Sequence, residues 1–176
     1  MIRNLGIGGA VQTGYKYALE NGYDIAVQYD GDGQHDVNYV KNIIEPIEKG
    51  KANMVIGSRF IDNSSSNFKS TAARRMGINL ISFVIKLKTK KKIYDTTSGF
   101  RAADKLTIKH FVENYPTEYP EPISTVSIIN NNLIVTEIPV SMKERVGGKS
   151  SISSWKNVYY MVNVFMSILI VGKRVK

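Results

Sequence analysis

The sequence contains no cysteine, which excludes disulfide bonds and thiolate metal sites and is compatible with a reducing cytoplasm. It also lacks a long hydrophobic run. The most apolar stretch, Trp155 to Val171, is interrupted by polar side chains and falls short of the roughly 20 apolar residues that a membrane-spanning helix needs. No apolar segment follows the charged start of the chain, so we expect no secretory signal peptide.

Acidic residues are few beside basic ones: 24 lysines and arginines against 15 aspartates and glutamates leave a net charge of +9. Such an excess favours polyanionic partners, namely anionic lipid, pyrophosphate or nucleic acid. The densest basic run, residues 86–92, is typical of a solvated loop but can also contact anionic headgroups. It has no interleaved aromatic residues, and the chain has no recognised nucleic-acid-binding motif. We therefore expect a membrane surface and no nucleic acid.

Length and hydrophobic spacing predict a single α/β domain with a mostly parallel sheet. Helical spacing covers residues 8–20, and a short apolar strand follows over 25–29. Asp36 is expected to cap the next helix, which stops at Gly50, and residues 54–57 form the next strand.

The most informative segment is the turn after the first of these strands, with the sequence Asp30-Gly31-Asp32-Gly33-Gln34-His35. Alternate side chains of an extended chain point to the same side, so Asp30 and Asp32 can converge on one cation. Mg²⁺ and Mn²⁺ prefer oxygen ligands and take one or two carboxylates together with substrate phosphates. The turn is therefore predicted to hold a divalent cation with a diphosphate.

Two alternatives exist for this turn. An EF-hand calcium loop would require glycine and glutamate where the chain has His35 and Lys41, so it is excluded. A strand-end turn with only a capping role stays open, because the Asp-X-Asp pattern is short. The carboxyl end of a strand favours the binding role, since ligands of open α/β sheets bind at that edge.

Several arginines are candidates for binding phosphate. Arg59 follows the second strand at the same sheet edge, and Arg74 and Arg75 lie early in a helix, where the helix dipole disfavours cations. An ordinary solvated face is the alternative. That helix is expected to start at Ser70 and to turn inward Ala73, Met76, Leu80 and Phe83 or Val84.

Other polar segments suggest further binding loops. Residues 95–101 combine three hydroxyl side chains with Asp95 and Arg101 around Gly99. This composition suits a loop that binds a sugar or a phosphate, and the alternative is a tight turn capped by Asp95. Residues 118–122 form a proline-set acidic corner before a helix. Arg145 and Lys149 flank two glycines, in a loop that could close over a pyrophosphate or lie plainly at the surface.

In their order along the chain, these motifs resemble the family-2 glycosyltransferases with the GT-A fold. The resemblance is closest to the polyprenyl-phosphate glycosyltransferases of the dolichol-phosphate mannosyltransferase type. The matching segments are Asn4–Ala10, Gly14, Asp30–His35, Gly57–Phe60, Asp95–Arg101, Tyr119–Pro122, Ile138–Val140 and Arg145–Ser151.

The resemblance implies an inverting, metal-dependent hexosyltransferase with a nucleotide-sugar donor and either a polyprenyl phosphate or a cell-surface polysaccharide as acceptor. Asp30 and Asp32 would be the ligands of the cation, Mg²⁺ or Mn²⁺. These two residues would also bind the donor phosphates, together with Arg59, Arg145 and Lys149. The acceptor would be bound by Gln34, His35, Arg74, Arg75, Ser98 and Arg101.

The resemblance also supplies candidates for catalysis, namely Glu121, then Glu118, and Asp95. A sugar hydroxyl as acceptor would need a carboxylate base, for which Glu121 is the first candidate. A lipid phosphate is already an anion and would need none.

The chain departs from the family at its start. Relatives begin with a strand and turn that bind the nucleotide base and a second strand with another acidic residue, and neither precedes Asn4. We expect residues 1–153 to form a GT-A domain without its N-terminal third. A truncated product, a fragment and half of a split enzyme all stay open. So do an active transferase, an inactive remnant that binds lipid or a partner, and a nucleotide-binding module without transfer.

Residues 154–176 are expected to form an amphipathic helix at a membrane interface, with a core-packing helix as the alternative. The chain would then be cytoplasmic and peripheral at the inner face of the cell membrane. A homo-oligomer is left open.

Overall fold

A computed structural model describes residues 6–61, 72–142 and 154–170. Its helices are α1 (Gly6–Glu20), α2 (Val40–Glu48), α3 (Ala72–Thr89), α4 (Lys105–Asn114), α5 (Pro120–Asn130) and α6 (Ser154–Ile170). Its strands are β1 (Ile25–Gln28), β2 (Met54–Ser58), β3 (Arg101–Asp104) and β4 (Val135–Pro139). The predicted α/β class is confirmed, as are the first helix and the first two strands to within two residues at each end.

The region after Asp36 differs in detail from the prediction. The Asp36 side chain accepts a hydrogen bond from the Asn38 N–H, but the turn that it caps is a 3-10 helix over Val37–Tyr39. The α-helix begins only at Val40 and ends at Glu48, with a turn that reaches Gly50. An aspartate that bonds two residues ahead favours this tighter start.

The four strands form one sheet in the order β1-β3-β2-β4. Strands β1, β2 and β4 run in the same direction, whereas β3 lies between β1 and β2 and is antiparallel to both. The sheet is therefore mixed. Because β3 starts where β1 and β2 end, the loop that precedes Arg101 reaches the same edge as the turns that follow Gln28 and Ser58.

Successive residues of the central strands pack into two separate cores. Met54 and Ile56 of β2 face the larger core, which α1, α3, α4, α5 and α6 cover. Val55 faces the smaller core beneath α2, together with Phe100 and Ala102. Both faces of β2 are buried, which explains its continuous apolar sequence.

The predicted inward face of α3 is wrong at Met76 and Leu80, which are 72% and 51% exposed. Of the alternatives Phe83 and Val84, it is Val84 that is buried. The predicted cap Ser70 and the side chain of Ala73 lie outside the described residues. Ile78, Ile81 and Ile85 make up the rest of the buried face. This helix carries apolar residues on two sides, and packing against α5 and α6 selects the side with the isoleucines.

In the described part of the chain, no helix is both long enough and apolar enough to cross a membrane. Helix α6 packs against α3 and α5, with Val164 and Ile168 fully buried.

Candidate active site at the carboxyl edge of the sheet

The edge described above gathers three segments: the Asp30–His35 turn after β1, Arg59 and Phe60 after β2, and residues 95–100 before β3. Each comes from a different part of the sequence. The antiparallel course of β3 brings the third segment to the first two.

Asp30 lies directly against the backbone of Gly99. A Cβ atom added at Gly99 would stand 2.6 Å from Asp30 Oδ2, so only glycine allows this approach. The same carboxylate oxygen lies 3.5 Å from His35 Nε2, and the Asp30 side chain is 44% exposed. Gly99 and His35 thus contact the Asp30 carboxylate from the protein side, and the rest of the carboxylate is open to solvent.

The pKa of Asp30 is held below its ordinary value. The first cause is the hydrogen bond with His35, and the charges of His35, Arg101 and Arg59 act in the same direction against the opposing effect of burial. Asp30 is therefore ionised at neutral pH. An ionised, half-exposed carboxylate of this kind fits a hard divalent cation.

His35 holds Asp30 from within the protein. Its ring is buried against Tyr29 and Phe100, and the Tyr29 hydroxyl donates a hydrogen bond to the His35 carbonyl oxygen. Its Nδ1 atom is buried with no hydrogen-bond partner among the described residues. Such burial favours a positioning role for His35, although its predicted role was in acceptor binding.

Asp32 and Gln34 shape the rest of the turn. Asp32 Oδ1 accepts a hydrogen bond from the Gln34 N–H at 3.1 Å, which closes a local turn. Within the described residues, no group of three or more histidine, cysteine or acidic side chains could hold a metal ion.

Arg59 and Asp95 form a buried ion pair beside this turn. Arg59 donates from Nε to Asp95 Oδ2 at 2.6 Å and from Nη2 to Oδ1 at 2.7 Å, and its backbone N–H reaches Oδ2 at 3.1 Å. Arg59 Nη2 also donates to Thr97 Oγ1 at 2.9 Å. Because Asp95 is fully buried and both of its oxygens accept, this geometry favours a positioning role over the predicted catalytic one.

Phe60 links Arg59 to Arg75, the one arginine of α3 with a described side chain. The Arg75 guanidinium carbon lies 3.9 Å from the centre of the Phe60 ring, and that of Arg59 lies 5.2 Å from it. Phe60 belongs to one of the matching segments, but the sequence-based prediction gave it no role in the site. The side chain of Arg74 and the whole of Arg145 and Lys149 lie outside the described part of the structure.

Arg101 and Ser98 are buried behind the edge rather than open to an acceptor. Arg101 is 1% exposed and donates from Nε to the Ser98 carbonyl oxygen at 2.7 Å and from Nη1 to Ser124 Oγ at 3.0 Å. Its Nη2 atom has no partner among the described residues. Arg101 thus ties the loop under Asp30 to the start of α5.

Glu121 stands in the first turn of α5, and Glu118 is exposed just before it. Burial raises the pKa of Glu121 above its ordinary value, with the Arg101 charge opposing and the Asp30 charge adding to the rise. The corner itself is held by α1, since a Cβ atom at Gly8 would lie 2.4 Å from the Pro116 carbonyl oxygen.

The sequence-based prediction also missed Glu137. Its carboxylate, on β4, accepts hydrogen bonds from the backbone N–H groups of Tyr94 and Asp95 at 2.7 and 2.8 Å. These partners are 43 and 42 residues away in sequence, so no local motif could have revealed them.

This α/β domain carries an ionised carboxylate, that of Asp30, and a buried arginine at the carboxyl edge of its sheet, which is where domains of this class bind their ligands. The chain belongs to glycosyl transferase family 2, whose family model matches residues 1–111.

Three curated proteins give the closer comparison. The UDP-N-acetylglucosamine–dolichyl-phosphate N-acetylglucosaminyltransferase of Methanococcus voltae is 32% identical over 169 residues, which cover 95% of this chain and 66% of that protein. The undecaprenyl-phosphate mannosyltransferase of Micrococcus luteus is 27% identical, with 84% and 61% covered. The polyprenol monophosphomannose synthase of Mycolicibacterium smegmatis is 26% identical, with 84% and 56% covered. The chain thus spans about three-fifths of the length of these relatives.

Proposed function

We propose that the chain acts as a metal-dependent, inverting glycosyltransferase that moves a sugar from a nucleotide-sugar donor to a polyprenyl phosphate. The observation that carries the proposal is the ionised Asp30 carboxylate seated on Gly99, next to the Arg59–Asp95 pair. Family membership and the names of the relatives support the reaction class and favour the lipid phosphate over a saccharide acceptor.

Asp30 and Asp32 would hold the cation, Mg²⁺ or Mn²⁺, which when bound would neutralise charge on the leaving diphosphate. Arg59 and Arg75 both lie near the Phe60 ring and would supply positive charge to anionic groups at this edge. Attack from the face of the sugar opposite the leaving group inverts the anomeric carbon. A polyprenyl phosphate attacks as an anion, so Glu121 would be needed as a base only for a hydroxyl acceptor.

We also propose that α3 and α6 place the domain on the surface of an anionic membrane, on the cytoplasmic side. The support is an exposed apolar surface, here called the α3–α6 face, made up of Met76, Leu80, Phe83, Leu87, Val162, Phe165, Met166, Leu169 and Ile170. Lys86, exposed in the last turn of α3 next to Leu87, would supply positive charge toward an anionic surface. Lys88 has another role, since its ammonium group donates to the Leu169 carbonyl oxygen at 2.6 Å and so caps α6.

A transfer assay tests the proposed reaction. The purified chain is incubated with Mn²⁺, a polyprenyl phosphate and UDP- or GDP-sugars labelled in the sugar, and label in the lipid extract is counted. The proposal predicts metal-dependent transfer that Asp32→Asn abolishes. Metal-dependent nucleotide binding without transfer would instead support a binding module.

A further inference from the structure

Glu137 captures the N–H groups of two consecutive residues with one carboxylate. Its Oε2 accepts from Tyr94 and its Oε1 from Asp95, at 2.7 and 2.8 Å. Residues 91–100 contain no helix or strand, so their path depends on such side-chain contacts. A charge-assisted bond to each of two neighbouring N–H groups fixes the peptide between them in both position and orientation.

The residue held in this way is the one that holds Arg59. Asp95 accepts from Arg59 through Nε, Nη2 and the backbone N–H, and the Arg59 side chain is almost fully buried. A shift of the Asp95 backbone would move the guanidinium with it. Residues 96–98 continue from Asp95 directly to Gly99, on which Asp30 rests.

Glu137 is also the wall of a cavity. A space of about 270 Å³, partly open to solvent, is bounded by Glu137 and Thr136 of β4 and by Lys92 and Tyr94 of the loop. The Lys92 ammonium group lies 4.2 Å from the centre of the Tyr94 ring. A small solute can therefore reach the place that the Glu137 carboxylate occupies.

We propose that Glu137 is a positioning residue for the active site, because it fixes Asp95 and through it the Arg59 guanidinium. The expected effect of Glu137 on nucleotide binding rests on the proposed function. That Glu137 fixes Asp95 and Arg59 does not depend on that function, and the experiment tests the two statements separately.

The test uses Glu137→Ala with added formate, a carboxylate small enough for the enlarged cavity. Without formate, we expect the affinity for the Mn²⁺ nucleotide to fall by about tenfold or more, the usual cost of losing an outer-shell partner. Formate should restore most of that loss. Glu48→Ala, which removes an exposed carboxylate from α2, should bind as the wild type does with and without formate.

Nuclear magnetic resonance reports the positioning itself. In the wild type, the Asp95 amide and the Arg59 Nε–H should be protected from hydrogen exchange. Glu137→Ala should remove the protection and formate should return it. Glu137→Gln, which keeps the size and one acceptor oxygen, should expose the Tyr94 or the Asp95 amide without unfolding the protein.

Unchanged protection of Asp95 and Arg59 in Glu137→Ala would overturn the inference. So would a loss that formate does not restore and that follows the thermal unfolding temperature alone, because the role would then be one of general stability. If the wild type binds no metal nucleotide, the proposed function fails, while the exchange data still decide whether Glu137 positions Arg59.

Discussion

Gly99 sets how closely the Asp30 carboxylate can approach the sheet. Because a Cβ atom there would lie 2.6 Å from Oδ2, Gly99→Ala must push Asp30 outward. We predict that this variant loses at least tenfold in affinity for the Mn²⁺ nucleotide, by analogy with other changes to the support of metal ligands. Calorimetric titration measures the effect.

Gly14→Ala is the matched control. It lies within α1 with no atom in reach of an added Cβ, so it should bind normally and gain up to about 1 kcal/mol in stability. Equal binding by the Gly99 and Gly14 variants would show that Asp30 is not held as described.

The Arg59–Asp95 pair is buried on both sides, so removing one partner leaves a charge without compensation. We predict that Asp95→Asn lowers the free energy of unfolding by about 3–5 kcal/mol, measured by urea denaturation. Asp24→Asn breaks an exposed pair with Lys105 and should leave stability within error of the wild type. A small effect of Asp95→Asn would mean that the pair is open to solvent.

Glu121 should make stability depend on pH. Burial raises the pKa of Glu121 above the ordinary 4.5. At a pH between 4.5 and the raised pKa, the folded protein therefore binds more protons than the unfolded chain. Its contribution to the free energy of unfolding therefore falls as pH rises through that window. We predict that Glu121→Gln gains stability relative to the wild type as pH rises above 4.5. Urea unfolding at a series of pH values checks this, and a difference that does not vary with pH would argue against a buried carboxyl group.

At the scale of elements, the exposed apolar residues of α3 lie on one side of the helix, and Leu80 of that side lines a small crevice together with Phe165 of α6. Burying one such side chain in lipid contributes about 1.5–3 kcal/mol, which is tenfold or more in affinity. We predict that Phe83→Ser weakens binding to vesicles containing anionic lipid by about tenfold in a sedimentation assay. Leu106→Ser, which changes an equally exposed apolar residue on α4, should have no effect. Equal effects of both changes would reject the α3–α6 face as the contact surface.

The sequence predicted those elements whose signal is local. Strands β1 and β2 and helix α1 follow from short apolar runs, helical spacing and the glycines that end them. Strand β3 has the sequence Arg-Ala-Ala-Asp, with neither alternation nor β-branched residues, and only its two neighbours make it a strand. The face of α3 was misassigned because tertiary packing chooses between two apolar sides.

The same distinction holds for the site. The placement of Asp30, Asp32 and Arg59 at one sheet edge was predictable, because each follows an apolar strand and the two strands run in the same direction. Their roles in binding stay predictions. The burial of Asp95 and Arg101 could not be predicted, because their partners come from distant segments. The contacts of Glu137 could not be predicted either, because they are made with backbone N–H groups, which carry no sequence signal.

At the scale of the whole molecule, the domain has a candidate site at the sheet edge and an exposed apolar surface on α3 and α6. The sheet edge holds an acidic turn braced by Gly99 and His35, with Arg59 fixed beside it through Asp95 and Glu137. Helices α3 and α6 pack together on the larger core and leave apolar side chains outside. The proposed transfer needs both features, because a nucleotide sugar is water-soluble and a polyprenyl phosphate is held in lipid.

The proposed function depends on the binding of a metal nucleotide by Asp30 and Asp32. Calorimetric titration of the chain with UDP and GDP, with and without Mn²⁺, tests it most directly, alongside Asp30→Asn, Asp32→Asn and the surface control Asp24→Asn. We predict Mn²⁺-dependent binding of one nucleotide, which either site variant abolishes and the control keeps. Binding that persists without Mn²⁺, or in both site variants, would contradict it.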